Sequence, residues 1–270
     1  MTLRYTPPRL AHAPKRGQAA DARTLYLASA ERLRVTSTGE ALVIARDDGA
    51  VQRIPVGRLL RIVCNTRAEW SGAALALCLE RGVPVSWLGH DDQPLGHLWP
   101  RRPQGSPLGE VLEALACDHP EWFEAYDHWL RRRRMHVLRT WAAARLEAGR
   151  AVSPEEWQRA KQAWVYRAEP CEVLPHVLQG MAAALVAARL CAQGLQAHYW
   201  CAVGGPVALA DDLACLVWAQ MNLTAGALAA AIEQPREAAA LFERWSGTYT
   251  GILHEHLASL HAHGRRALAL

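Results

Sequence analysis

The densest chemical signal in the chain is a run of four arginines, Arg131 to Arg134, followed by Arg139, Arg145 and Arg150. Guanidinium forks donate paired hydrogen bonds to phosphate oxygens, and only Glu147 opposes this cluster locally. Four adjacent helical positions cover all sides of the helix, so at least one of these arginines must lean toward the buried stripe. Residues 131, 134, 138, 141 and 145 share one face, which mixes arginine with Leu138 and Trp141. Such a face can lie along a nucleic-acid backbone. A solvated face with no partner is the other reading, and the near absence of local acids weighs toward nucleic acid.

Other candidates are weaker. His254, Glu255, His256, His261 and His263 suggest a metal-rich tail, but position 258 is Ala, so the H-E-x-x-H spacing is missing. On a helix 254 and 261 share one face and 256 and 263 another. Two histidines per face read better as a solvated helix end. His119, His128, His136 and His176 stand alone and read as structural or surface residues. The chain has 11 tryptophans, and those at helical spacing between 122 and 164 read as core rather than as a stacking ladder for single strands. No G-x-G-x-x-G, P-loop or Ser/His/Asp constellation stands out. Seven scattered cysteines without a C-x-x-C read as reduced thiols of a cytoplasmic protein.

The elements that must position these residues change character near residue 105. From Thr24 to Trp99 the runs are short and strand-like: Leu25–Leu27, Leu33–Val35, Leu42–Ile44, Val51–Val56 and Leu59–Cys64. Asp47-Asp48-Gly49 reads as a hairpin turn. Ser71 reads as the N-cap of a short helix, Ala73 to Leu79, ended by Gly82. Strands at Val83–Leu88 and Leu95–Trp99 complete a mostly β domain with one packed helix. Residues 101–107 read as a linker, and everything beyond is helical. Glu121–Glu147 has apolar residues at helical spacing, and Ser153-Pro154-Glu155-Glu156 starts another helix. Val173–Gln193 is apolar enough to be central and is capped by Gly194. A helix from Val207 to Asn222 and a final one from Arg236 toward Leu268, interrupted near Gly247, follow. The expected fold is therefore α+β: a basic arm (1–22), a β-rich domain (23–100), a linker (101–107) and an all-α domain (108–270).

Composition supports an ordinary folded protein, with 51% hydrophobic and 21% charged residues over 270 positions. The net charge is only +4, so an argument for nucleic acid rests on where the arginines lie, not on their sum. Lys15 and Lys161 are the only lysines, a skew that phosphate recognition and a GC-rich coding bias explain equally well. The first residues have no apolar segment of the secretory type. No uncharged apolar run is long enough to span a bilayer.

An ordered series of segments resembles the amino-terminal domain of the CRISPR-associated integrase ("Cas-one") family. It comprises Leu25-Tyr26-Leu27, Asp48-Gly49, Arg53-Ile54-Pro55-Val56-Gly57 and Leu60-Arg61-Ile62-Val63. Ser71-Gly72-Ala73-Ala74-Leu75, Glu80 through Gly89, and Leu95-Gly96-His97-Leu98 complete it. Val173 to Met221 is similar to the family's central helices. The resemblance implies a β dimerisation domain followed by a helical DNA-binding and catalytic-type domain. It also implies metal-dependent DNA endonuclease and integrase chemistry in CRISPR spacer acquisition, an antiviral defence. The implied partners are double-stranded DNA (prespacer and CRISPR array) and a Cas-two-like dimer.

The family's metal ligands are a Glu in L-R-G-x-E-G, a His ending G-L-x-P-x-x-G-F-x-H, and an Asp in D-L-x-E whose last acid assists. No L-R-G-x-E-G segment is evident here, and the nearest acids, Glu155 and Glu156, have a capping explanation. The His position falls at Val203 or Ala202. Asp212 matches the Asp, with Asp211 beside it, but the last acid is Cys215. A first-turn acid stabilised by the helix dipole is the other reading of Asp212.

The expectation is an inert subunit that binds DNA through Arg131, Arg132, Arg133, Arg134, Arg139 and Arg145, needs no cofactor, and pairs with itself or with a catalytically intact paralogue. The alternative is an active enzyme using Mg or Mn, with Asp212 as metal ligand and Asp211, Glu156 and His198 as further candidates. A third reading is a helical nucleic-acid-binding module unrelated to acquisition.

Overall fold

A computed structural model describes residues 23–27, 31–100, 106–119, 121–167, 174–195, 207–225 and 235–269. The expected arm and most of the expected linker lie outside these residues. Strands and turns fill the first part, as expected. They are β1 (Arg23–Leu27), β2 (Leu33–Thr38), β3 (Ala41–Arg46), β4 (Val51–Pro55), β5 (Leu59–Asn65), β6 (Ala68–Trp70), β7 (Val85–Leu88) and β8 (Pro94–Leu98). Helix α1 (Gly72–Glu80) interrupts them.

The strands form two sheets, β1-β5-β7-β8 and β4-β3-β2-β6. The second is built on the β2-β3-β4 meander, with Gly49 at φ 84° in the β3–β4 turn and Asp48 accepting from the Ala50 amide. In the first, β5 runs parallel to both β1 and β7, a pairing that needs a crossover, and α1 lies in the one between β5 and β7. The Ser71 hydroxyl accepts from the Ala74 amide and caps α1, while Gly82 ends it at φ 73°.

The first sheet is buried on both faces. Alternate side chains of a strand point to opposite sides. Ile62 and Cys64 accordingly enter the core shared by the two sheets and α1, whereas Val63 enters the helical core. Val85 and Leu88 divide in the same way. The apolar run Leu59–Cys64 thus reflects burial on two sides rather than a half-solvated strand.

Among the described residues six helices follow: α2 (Pro107–Asp118), α3 (Trp122–Glu147), α4 (Pro154–Trp164), α5 (His176–Ala192), α6 (Leu209–Ala225) and α7 (Pro235–Ala267). Helix α5 lies at the centre, against β5, β7, β8, α6 and α7. A Cβ at Gly180 would fall 2.6 Å from the Asp92 carbonyl oxygen and 2.5 Å from a Leu88 methyl, so glycine permits the close approach of α5 to the β7–β8 turn. Helix α7 does not break near Gly247, contrary to expectation; it runs unbroken for 33 residues. A helical glycine costs only about 1 kcal/mol, and the buried Phe242, Trp245, Leu253, Leu257 and Leu260 around it hold the helix to the core. Glu243 of α7 accepts from Tyr26 Oη (2.6 Å) and from Arg61 Nη2 (2.9 Å), joining α7 to the first sheet.

Candidate functional site on helix α3

Helix α3 buries Trp122, Tyr126, Trp129, Leu130, Val137, Leu138 and Trp141 in steps of three, four or seven. Its arginines flank this stripe and divide among different neighbours, so they do not form one open basic face. Arg131, Arg132 and Arg139 are exposed, while Arg133, Arg134 and Arg145 are partly buried.

The side of α3 toward α6 carries an ion pair. Asp212 sits in the first turn of α6. Its Oδ1 lies 3.7 Å from Arg134 Nη2, an ion-pair separation longer than a hydrogen bond, and its Oδ2 accepts from the Tyr126 hydroxyl at 3.0 Å. The side chains of Arg134 and Asp212 are only 17% and 16% exposed. Burial pushes the Asp212 carboxyl above its ordinary range, against the opposing pull of the Tyr126 hydrogen bond, Arg134 and Arg167. Arg167, at φ 56° just beyond α4, thus adds a second guanidinium to the neighbourhood. Burial likewise raises the Cys215 thiol, which favours its protonated form.

The side toward α7 carries a ladder of contacts that involve no carboxylate. His263 Nε2 lies 3.1 Å from the Ala125 carbonyl oxygen, Trp129 Nε1 donates to Ser259 Oγ at 3.1 Å, and Arg133 Nε donates to His256 Nδ1 at 2.8 Å. His256 is fully buried, and desolvation, reinforced by Arg133 and His136, pulls its pKa down to about 3. The reading of 254–263 as a solvated helix end therefore fails at His256. Its seven-residue spacing to His263 faces both residues toward α3, while His254 stays exposed. Arg132 lies 3.5 Å from His263 Nδ1.

Glu156 is engaged elsewhere. Its amide donates to Ser153 Oγ, the expected helix start, and its carboxylate pairs with Arg145, whose guanidinium also lies over Trp141. Arg145 is three turns beyond Arg134, about 16 Å along α3. Asp212 and Glu156 are thus held by different arginines. Asp211 is exposed beside Asp212. His198, Ala202 and Val203 lie outside the described residues. Among the described residues, no three His, Cys, Asp or Glu side chains group to hold a metal ion.

Tyr126 was singled out from the sequence only as part of the apolar stripe, and Arg134 only as a DNA-binding arginine; the contact of both with Asp212 is what reasoning from motifs did not find. Leu130-Arg131-Arg132-Arg133-Arg134-Met135 begins as L-R-G-x-E-G does and places Arg134 at the acid position. The Leu-Arg pair was the available signal, and the inverted charge hid it.

The amino-terminal pair of sheets followed by a helical domain is the architecture that the sequence resemblance implied. The family model for CRISPR associated protein Cas1 matches residues 25–167, and the chain belongs to that family. The Cas1 protein TM1797 from Thermotoga maritima shares the fold at TM-score 0.61 and 13% identity, over 90% of this chain and 97% of that one. TtCas1, crystallised in complex with DNA, matches at TM-score 0.58 and 17% identity, over 90% and 92% of the two chains. The chain of a Cas6-RT-Cas1–Cas2 complex matches at TM-score 0.50 and 15% identity, over 83% of this chain but 28% of that longer one. No curated protein matches the sequence significantly.

The Cas1 family is metal-dependent, and Mg²⁺ or Mn²⁺ seeks hard oxygen ligands. Around Asp212 stand a thiol, a phenol already bonded to the carboxylate, and two guanidiniums. Among the described residues, this donor set does not fit a divalent ion.

Proposed function

We propose that this Cas1-family chain is a non-catalytic DNA-binding subunit of CRISPR spacer acquisition. The observation that carries the proposal is the pairing of Asp212 with Arg134 and Tyr126, which engages both oxygens of the one matched acid. A phosphodiester attack by a 3′-hydroxyl needs charge neutralisation at the reacting phosphate, and these side chains do not supply a metal cage for it. Family membership sets aside the reading in which the β half merely mimics Cas1.

Double-stranded DNA is the ligand, with Cas2 and a second Cas1-type protomer as partners. The DNA-bound TtCas1 and the Cas6-RT-Cas1–Cas2 complex support this choice. Of the six arginines, Arg131, Arg132 and Arg139 remain open to a phosphate backbone, with Arg132 and Arg139 two turns apart on one face. Arg133, Arg134 and Arg145 serve internal contacts and contribute to the local positive potential.

The test incubates purified protein with Mn²⁺, a short 3′-hydroxyl duplex and a CRISPR target, alone and with an intact Cas1 and Cas2. No joined product is expected from the chain alone, with co-purification and duplex binding retained. Metal-dependent joining by the chain alone, abolished by Asp212→Ala, would overturn the proposal.

A further inference from the structure

We infer that Arg134 is a resident cation: its guanidinium holds the place beside Asp212 that a divalent ion would need, and this one side chain closes the pocket to metal. The inference rests on the reading of the chain as non-catalytic and names what enforces that state. Two independent observations meet on Arg134. In sequence it stands at the acid position of the Leu130–Met135 segment. In space it is the positive group within ion-pair distance of Asp212. Losing a ligand would leave a weakened cation site, whereas exchanging acid for base puts a fixed positive charge where the ion would sit. The opposing charge is within the chain and cannot dissociate, so raising the concentration of free Mn²⁺ must displace a tethered competitor.

The neighbourhood explains why the exchange is tolerated. Arg134 leaves the buried stripe of α3 one turn after Leu130 and meets α6 at its first turn, where the acids Asp211 and Asp212 offset the positive end of the helix dipole and leave the local balance suitable for a cation. Tyr126, two turns earlier on the same side of α3, takes the other carboxylate oxygen. Arg134 and Tyr126 therefore orient Asp212 without any ion, and the contact between α3 and α6 is complete in the apoprotein.

The experiment measures Mn²⁺ occupancy of the full chain by electron paramagnetic resonance and by thermal shift, in the wild type, Arg134→Glu, Arg134→Gln and Arg134→Glu/Asp212→Asn. The wild type is expected to show no bound Mn²⁺ that depends on Asp212 and a thermal shift below about 1 °C. Arg134→Glu places two carboxylates together and is expected to gain a shift of about 3 °C or more, lost again in the double variant. Arg134→Gln, which removes the cation without adding an acid, should gain a smaller shift and stands in should Arg134→Glu fail to fold. Mn²⁺ bound by the wild type and released by Asp212→Asn would overturn the inference. So would folded Arg134 variants that remain indifferent to Mn²⁺. Because the readout is metal occupancy and not strand joining, joining by the wild type with no ion bound at Asp212 would sink the proposed function while leaving this inference standing.

Discussion

The two sides of α3 solve the same problem, an arginine brought against a neighbouring helix, with opposite chemistry. Toward α6, Arg134 meets the carboxylate of Asp212; toward α7, Arg133 meets the neutral imidazole of His256. Their responses to acid differ in sign. The Asp212 carboxyl is raised by burial, so the folded chain takes up that proton at higher pH than the unfolded chain does. Lowering the pH through this range therefore adds stability from Asp212. The His256 imidazole is lowered to about 3, whereas an unfolded histidine titrates near 6.5. Its contribution is fully present above that value and is lost as pH falls from about 6.5 toward 3. Burial can thus make a carboxylate a liability at neutral pH and a histidine a liability in acid, even when both face arginines on one helix.

The largest effect is expected at the α7 contact. His256→Ala removes a fully buried ring and leaves Arg133 Nε without its acceptor, for a loss of about 3 kcal/mol in urea unfolding at neutral pH. The gap between wild type and variant should narrow as the pH is lowered to about 5, because only the wild type then loses the buried imidazole's contribution. A constant gap would remove His256 as the acid-sensitive element. Ser259→Ala, which removes little more than the hydroxyl that accepts from Trp129 Nε1, should cost about 1 kcal/mol by the same measurement.

The α6 contact should yield less. Asp212→Asn preserves shape and removes one charge, and the burial cost of the carboxylate is only partly offset by Tyr126, Arg134 and Arg167. Its urea midpoint at neutral pH should move by under about 1 kcal/mol equivalent, and less in acid, because a carboxyl raised by folding gains no net stability from its charged form. A loss as large as that of His256→Ala would mean that the ion pair, not the ladder toward α7, holds α3. The smallest stability effect belongs to Arg132→Ala combined with Arg139→Ala, within about 0.5 kcal/mol. That variant should nevertheless weaken duplex binding about tenfold and flatten its salt dependence, as measured by fluorescence anisotropy. Unchanged binding would move the DNA surface away from α3.

Much of the fold was legible because it is written in periodicity. Alternation marked β2 and β3, Ser71 and Ser153 marked helix starts, and Gly82 and Gly194 marked helix ends, each at positive φ. The two-sheet arrangement was not legible, since the parallel pairing of β5 with β1 and β7 joins segments far apart in sequence. The site was legible only in part. Asp212 was found because it retained the expected residue type. Arg134 was read as one of the DNA-binding arginines and not as the partner of Asp212, because a motif search seeks the ligand and not its charge opposite. The basic run looked like a single surface, yet helical rotation carried its members toward α6, toward α7 and into solvent, and only three-dimensional neighbours distinguish these fates.

Both faces of the β1-β5-β7-β8 sheet are packed, and Glu243 clasps β1 and β5 through Tyr26 and Arg61. The strands act as a party wall. A protein that grips the amino-terminal half takes hold of the helices too, and torque applied there reaches α7 without the slack of a hinge.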